Sequence, residues 1–182
     1  MKKSILGLAV SALFVVGAAH ADANPNDIPA TLNVTGTVVA DIADACTVTT
    51  DKPSVALTSD LNMLINQGDD ATAVTPVQLS VTGGADCANK LQAGTIEYKF
   101  TGATDAADGT VLANTDTSGT GAKGVGVGIY DANNKLVKVN SSDRLAANTG
   151  TTTIGLQMVK LTGATAEAGN VTSSVTIEIE RL

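Results

Sequence analysis

Apolar and polar residues alternate along much of this chain with a period of two. In the first such run, residues 30–38, small or apolar side chains occupy one face and Thr and Asn the other. This is the pattern of a β-strand with one buried face. Similar runs follow at Val77–Val81, Ile96–Phe100, Val125–Ile129, Leu136–Val139, Ile154–Met158 and Val175–Ile179. Seven short strands separated by turn residues predict an all-β sandwich of the immunoglobulin-like kind.

The segments between these runs read as turns and loops. Asp131–Asn134 joins the fourth and fifth predicted strands and indicates a hairpin. Residues 101–123 are rich in Gly, Ala, Thr and Asp and predict a long loop. No window shows a helical period beyond one turn around Leu61–Ile65.

The first residues have the pattern of a secretory signal. Lys2 and Lys3 precede a short apolar run, which ends in Ala19-His20-Ala21. Small residues at the first and third positions of such a tripeptide fit signal peptidase, so we expect residues 1–21 to be removed before Asp22. The remaining 161 of the 182 residues suit one domain.

The composition argues against several classes of function. His20 is the only histidine and lies in the predicted signal, so triads and zinc sites that need imidazole are not expected. Tyr98, Phe100 and Tyr130 are the only aromatic residues beyond it, too few for a stacking platform. Nine basic and eighteen acidic residues then give a formal charge of −9, which disfavours nucleic acid and anionic lipid. We therefore expect no enzyme, cofactor, metal or small-molecule substrate.

Two motifs resemble ligand-binding loops and fail on context. Gly119, Gly121 and Gly124 fit the spacing of a dinucleotide loop, but a polar loop precedes them and a strand pattern follows. Asp131 and Asn133 begin like a calcium loop, yet the positions that need a glycine and a glutamate hold other residues. A hairpin turn is the better interpretation of the second motif.

Cys46 and Cys87 are the only cysteines. In an exported protein an even count predicts a disulfide, because nothing there keeps thiols reduced. Two free buried thiols are the alternative.

The strand at residues 30–38 has two interpretations. It is either the first edge strand of its own domain or a donor strand that pairs with another subunit. A Pro- and Asn-rich lead, residues 24–29, precedes it and is not expected to pack. A strongly alternating strand behind such a lead suits β-augmentation, in which backbone bonds supply affinity and alternate side chains set the register.

Several marks taken in order resemble the major pilin of type 1-like chaperone-usher fimbriae. They are the strand at residues 32–39, Cys46, Cys87, the glycine-rich strand at residues 124–131 and a final strand at residues 171–180. The resemblance implies an incomplete immunoglobulin-like β-sandwich that is completed by donor-strand exchange. It also implies that the disulfide from Cys46 to Cys87 joins the first and second strands.

The resemblance further implies an organisation and a set of partners. Residues 1–21 would be the signal, 22–40 the N-terminal extension with its donor strand, and 41–182 the pilin domain. The donor face would comprise Leu32, Val34, Gly36 and Val38. A periplasmic chaperone would fill the groove left by the missing strand and contact the C-terminal strand at Val175, Ile177 and Ile179. An outer-membrane usher would then exchange the chaperone's strand for the N-terminal extension of the next subunit. The subunit would then lie in a surface fimbrium that carries a separate tip adhesin.

Two other functions remain open. A minor or tip subunit would bind host glycans or proteins directly. A self-contained exported β-sandwich would do the same without polymerising.

Overall fold

The computed structural model describes residues 30–34, as backbone, and residues 45–182. The described residues form two β-sheets. The strands are β1 Ala30–Val34, β2 Cys46–Thr50, β3 Ser54–Leu57, β4 Ile65–Asn66, β5 Thr75–Gly83, β6 Ile96–Gly102, β7 Leu112–Ala113, β8 Val125–Tyr130, β9 Leu145–Ala146, β10 Thr151–Lys160 and β11 Val171–Arg181. One helix, α1 Ala85–Gln92, and one 3-10 turn, Leu61–Met63, complete these elements.

Sheet A has the strand order β3-β1-β11-β6-β9, and sheet B has the order β2-β5-β10-β8-β7, with β4 beside β10. The successive strands of sheet B are all antiparallel along that order. In sheet A, β1 is antiparallel to β3 but parallel to β11. Each sheet thus contains one parallel pair, β1 with β11 in sheet A and β4 with β10 in sheet B.

The main core lies between the two sheets. Inward side chains of β5, β8 and β10 meet those of β6 and β11, as the two-residue period predicts. Tyr98, Phe100, Leu79, Ile129 and Leu156 are among its fully buried large side chains. An all-β sandwich is thus confirmed.

A second, smaller core lies on the outer face of sheet B. Tyr130, Val159, Val111 and Ala71 form it, and the loops around residues 65–74 and 105–112 cover it. The ring of Tyr130 lies over Gly128, where an added Cβ would come within 2.7 Å of it. Glycine at this position therefore permits the aromatic ring to pack flat on the strand.

One of the seven predicted strands is wrong. Residues 136–139 do not form a strand: Leu136 makes a single bridge to Tyr130, and the chain then crosses towards sheet A, where the amide of Asn140 donates to Phe100. The hairpin turn before it does form, since the carboxylate of Asp131 accepts hydrogen bonds from two amides of its own loop.

The helix α1 was not predicted. It carries an ion pair between Asp86 and Lys90, one turn apart at 2.8 Å, and buries Cys87. The acid lies in its first turn and the base in its last, the order that favours the helix dipole. The four-residue spacing of Asp86 and Lys90 indicates a helix, but a search for apolar residues with a two-residue period does not detect it.

Candidate assembly interface

The site that distinguishes this fold is a slot in sheet A between β3 and β11, which β1 occupies. Residues 30–33 align with 57–54 of β3, and residues 30–34 align with 171–175 of β11. A strand in this slot is bonded along both edges. Without it, β3 and β11 would each present an open edge, the kind of surface that pairs with other chains.

The walls of the slot are apolar and fully buried. Val55 and Leu57 of β3 and Val171 and Val175 of β11 are each at most 5% exposed. Ser173 lies between the two β11 valines, and its hydroxyl donates to the carbonyl of Ala113 at 2.6 Å. Apart from this satisfied hydroxyl, the inward-facing side chains of the two walls are apolar, so the register on that face depends on apolar contacts and backbone bonds.

Two of the four predicted donor residues lie in the part of the chain that the structure describes. Leu32 and Val34 lie in β1, opposite Ser173 and Val175 of β11. Gly36, Val38 and the predicted signal at residues 1–21 lie outside the described residues.

The three predicted residues of the C-terminal strand lie on one face of β11. Val175 and Ile177 are buried in the main core, and Ile179 packs against it. Only Val175 lies beside β1; Ile177 and Ile179 continue past its end, paired with Phe100 and Tyr98 of β6. Their proposed contact with a chaperone stays a prediction.

Two cavities adjoin the residues aligned with Ala30. Leu57 lines a cavity of about 250 Å³ that is also bounded by Met63 and Gln157. Val171 lines a second cavity of about 10 Å³, which is the size of one water molecule. The larger cavity is thus the one that could accept a further side chain at this end of the slot.

The disulfide lies near the Arg181 end of β11, beyond the residues of that strand that pair with β1. Cys46 begins β2, and Cys87 lies in α1, with the two Cα atoms 5.4 Å apart. The predicted pairing is confirmed, but the second cysteine is in a helix rather than in the second strand. Arg181 of β11 donates to Asp86 and to the Cys46 sulfur, which links the end of sheet A to this corner.

A buried polar cluster supports the loops over sheet B, and the sequence reasoning missed it. Asp105 is 6% exposed and accepts hydrogen bonds from four backbone amides of its own loop, residues 107–111. The side-chain amide of Gln67 donates to the same carboxylate at 2.9 Å. Burial raises the pKa of Asp105, but these hydrogen bonds outweigh it and lower the pKa below its usual value. The D-x-x-D-G spacing of a turn was the available signal.

The ligand-like motifs have structural roles. Gly124 has a φ of +62° and turns the chain into β8, so a strand follows the glycines where a dinucleotide site needs a helix. Within residues 30–34 and 45–182, no three His, Cys, Asp or Glu side chains are grouped to hold a metal ion.

The family model for fimbrial proteins matches residues 32–180, and the chain belongs to this family. It is a fimbrial subunit, a structural protein of surface pili rather than an enzyme. None of the helices in the described part of the chain is long and apolar enough to span a membrane.

Two solved structures are similar to this chain. An antigen and type I fimbria protein of Burkholderia pseudomallei is 17% identical, with 84% of this chain and 92% of that one covered and a TM-score of 0.44. The P pilus rod subunit PapA is also 17% identical, with 81% and 99% covered and a TM-score of 0.49. No curated protein sequence matches this chain significantly.

Proposed function

We propose that this fimbrial subunit polymerises by donating residues 22–40 to the slot between β3 and β11 of the next copy. The observation that carries the proposal is the slot itself. It accepts one strand bonded on both edges, and the strand found there comes from the N-terminal segment of the chain.

The occupant of the slot is separable from the rest of the domain. Residues 35–44 connect β1 to the remaining strands, and they would extend to about 35 Å at about 3.5 Å per residue. A domain of this size has a radius of gyration of about 15 Å, so this linker is long enough to reach a touching neighbour. The same strand can therefore fill its own slot or that of an adjacent copy.

An unfilled slot would be unstable in water. The apolar walls formed by Val55, Leu57 and Val175 would become exposed, and the backbone groups of two edges would lose their partners. A newly exported subunit thus needs a strand from some source. We infer that a periplasmic chaperone supplies a strand that pairs with β11. An outer-membrane usher then exchanges this strand for the N-terminal segment of the next subunit.

Donation in this manner is head-to-tail. The donating segment and the receiving slot are different surfaces, so the contact does not close on itself and generates a filament. A tip adhesin at its end would carry receptor binding, since the described shaft domain presents no metal group and no aromatic platform.

The cavities beyond Ala30 suggest how far the donated segment extends. Ile28 is the only large apolar residue among positions 22–29. A strand in the direction of β1 would bring it towards the cavities bounded by Leu57 and Val171. We propose that Ile28 occupies this end of the slot.

Strand donation is tested by comparing cell-surface extracts on SDS gels before and after boiling. The intact chain should give an unboiled ladder that collapses to monomer on heating, and a chain lacking residues 22–39 should give none. Leu32→Asp places a charge on the predicted donor face and should abolish the ladder. Asn33→Asp, one residue away on the opposite face, should leave it intact.

The pairing of β1 within its own chain favours the alternative of a self-contained module. In that case the intact chain would run as a monomer both before and after boiling. Direct binding of host glycans or proteins would then be the function to pursue.

A further inference from the structure

The side-chain amide of Gln67 has more acceptors around it than it has protons. Gln67 follows β4 and is 8% exposed. Its Nε2 atom is within hydrogen-bond distance of three oxygens: Asp105 Oδ2 at 2.9 Å, Thr110 Oγ1 at 3.0 Å and Asp108 Oδ1. A carboxamide nitrogen carries two protons, so it can satisfy only two of these acceptors at once. One oxygen therefore faces the carboxamide group with a lone pair that receives no proton.

Thr110 is the acceptor that can act as a nucleophile. Its hydroxyl donates its own proton to Asp108 Oδ1 at 2.5 Å, and a hydroxyl bonded to a carboxylate pairs a nucleophile with a general base. The C–N bond of Gln67 is about 1.33 Å long, so the Thr110 oxygen lies no more than about 4.3 Å from the carbonyl carbon Cδ. A movement of about 1 Å brings it to the distance of attack, about 3–3.5 Å.

The carbonyl group of Gln67 is held and polarised at its oxygen. The Oε1 atom accepts a hydrogen bond from the backbone amide of Thr162 at 3.0 Å. A backbone N–H in this position stabilises the negative charge that a carbonyl oxygen gains on attack, as oxyanion-hole donors do. The backbone amide of Gln67 donates to the carbonyl of Lys160, which fixes the residue beside the end of β10. A polarised carbonyl, a hydroxyl and a base thus meet at one place.

We propose that Thr110 and Gln67 form an intramolecular ester cross-link with release of ammonia. The Oγ1 atom of Thr110 attacks Cδ of Gln67, and its proton passes to the carboxylate of Asp108. The new O–C bond places negative charge on Oε1, where the amide of Thr162 stabilises it. When the carbonyl forms again, the Cδ–Nε2 bond breaks, and the nitrogen leaves as ammonia with the proton from Asp108. The carboxylate is regenerated, and no oxidant, metal or other reactant is consumed.

The cross-link joins the two loops that cover the outer face of sheet B. Gln67 belongs to the loop at residues 65–74 and Thr110 to the loop at residues 105–112, which together cover the small core around Tyr130. The two residues are 43 positions apart, and closing a loop of that length restricts the unfolded chain as a disulfide does. Sheet B then has a covalent tie at its β2 edge, the disulfide, and a second over its β8 half. This role goes beyond strand exchange and does not depend on it.

A second buried glutamine provides an internal control. Gln157 is 7% exposed, and its Oε1 atom accepts hydrogen bonds from the backbone amides of Thr72 and Ala73, each at 3.0 Å. Its Nε2 atom donates to the Thr72 hydroxyl at 3.2 Å. This pair has the carboxamide, the hydroxyl and the backbone donors, but the Thr72 hydroxyl has no carboxylate as a base among the described residues. We therefore expect Gln157 and Thr72 to remain unlinked.

The test is mass spectrometry of the intact protein, purified from cell-surface extracts, with the disulfide reduced. The unaltered protein should be lighter than its sequence predicts by one ammonia molecule, and peptide mapping should show Gln67 joined to Thr110. Hydroxylamine, which cleaves esters, should separate the two peptides. Thr110→Ser keeps a hydroxyl and should keep the mass difference, whereas Thr110→Val and Asp108→Asn should have the full mass. Thr72→Val, the control, should keep the difference as well.

The full sequence mass in the unaltered protein would overturn the inference. A mass difference that survives Thr110→Val, or that maps to any other pair of residues, would overturn it too. The unaltered protein alone decides the outcome, so a variant that fails to fold leaves the test intact. Absence of an unboiled ladder on SDS gels would refute the proposed function without bearing on the ester.

Discussion

Sheet A and sheet B differ in which parts of the chain supply their strands. Every neighbour of β10 in sheet B comes from the continuous part of the chain, and the disulfide fixes the β2 edge to α1. Sheet A depends on β1, a short strand joined to the domain by residues 35–44. Under the proposed function, sheet B is a permanent scaffold, and sheet A has one position whose strand can be replaced.

The largest expected effect comes from removing the replaceable strand. A chain lacking residues 22–39 loses a whole inner strand of sheet A, which should cancel a stability of about 5–15 kcal/mol. We expect the purified truncated chain to be unfolded, and a peptide of residues 22–44 added in trans to restore folding. Circular dichroism with increasing peptide measures both.

Hydrogen exchange tests this distinction in the intact chain. The amides of β11 that pair with β1 should exchange faster than those of β10, because local release of β1 opens an edge of β11 while sheet B stays folded. Simultaneous loss of protection in both strands would contradict the distinction between a replaceable and a permanent sheet.

The disulfide should give the next largest effect, and it acts on the permanent side. Cys46 and Cys87 are 41 residues apart, and closing such a loop stabilises a fold by about 4 kcal/mol in the chain-entropy model. Cys46→Ala/Cys87→Ala should lower the free energy of unfolding by about that amount in urea titrations. A loss below about 1 kcal/mol would show that the corner is held by packing instead.

Asp105 should contribute less than the disulfide, and in a pH-dependent manner. Asp105→Asn turns an amide donor towards groups that already donate, which should cost about 2 kcal/mol. Asp60→Asn, at an exposed position, is the matched control.

The sign of the pH effect follows from the lowered pKa. The folded carboxyl of Asp105 has a pKa below that of the unfolded chain, so its contribution is fully present above about pH 4. It is lost as the pH falls through the lower, folded value. Urea midpoints between pH 2 and pH 6 should therefore fall less steeply for Asp105→Asn than for the unaltered protein.

The smallest expected effect is a gain. The Tyr130 hydroxyl is buried and has no hydrogen-bond partner among the described residues. Burial, together with the nearby charges of Asp69 and Asp70, raises the pKa of Tyr130 to about 12. Tyr130→Phe removes the unsatisfied group and should leave stability unchanged or raise it by about 1 kcal/mol in urea titrations. A clear loss would show that the hydroxyl has a partner in solution.

The two-residue period was sufficient to predict the long strands that line the main core, since β5, β6, β8, β10 and β11 each contribute alternate side chains to it. It failed where tertiary contacts decide the conformation. Residues 136–139 have a strand pattern, but the chain crosses between the sheets there. The short strands β4, β7 and β9 contain two residues each and carry no period at all.

The candidate site was predictable in part. The alternation of residues 30–38 predicted a strand, and β1 occupies the described part of it, residues 30–34. The pattern contains nothing to say which chain receives that strand, because its own slot and a neighbour's would be identical. The apolar walls could not be read from the sequence either, since β3 contributes only Val55 and Leu57 and lies far from β11 along the chain.

The most direct test of strand donation is a cryo-electron microscopy structure of the assembled filament. The decisive feature is the path of residues 35–44 between the strand in the slot and Cys46. We predict that this path crosses from one subunit to the next, so that each slot holds a neighbour's strand. A path that returns to Cys46 of the same subunit would contradict the account and leave assembly to another surface.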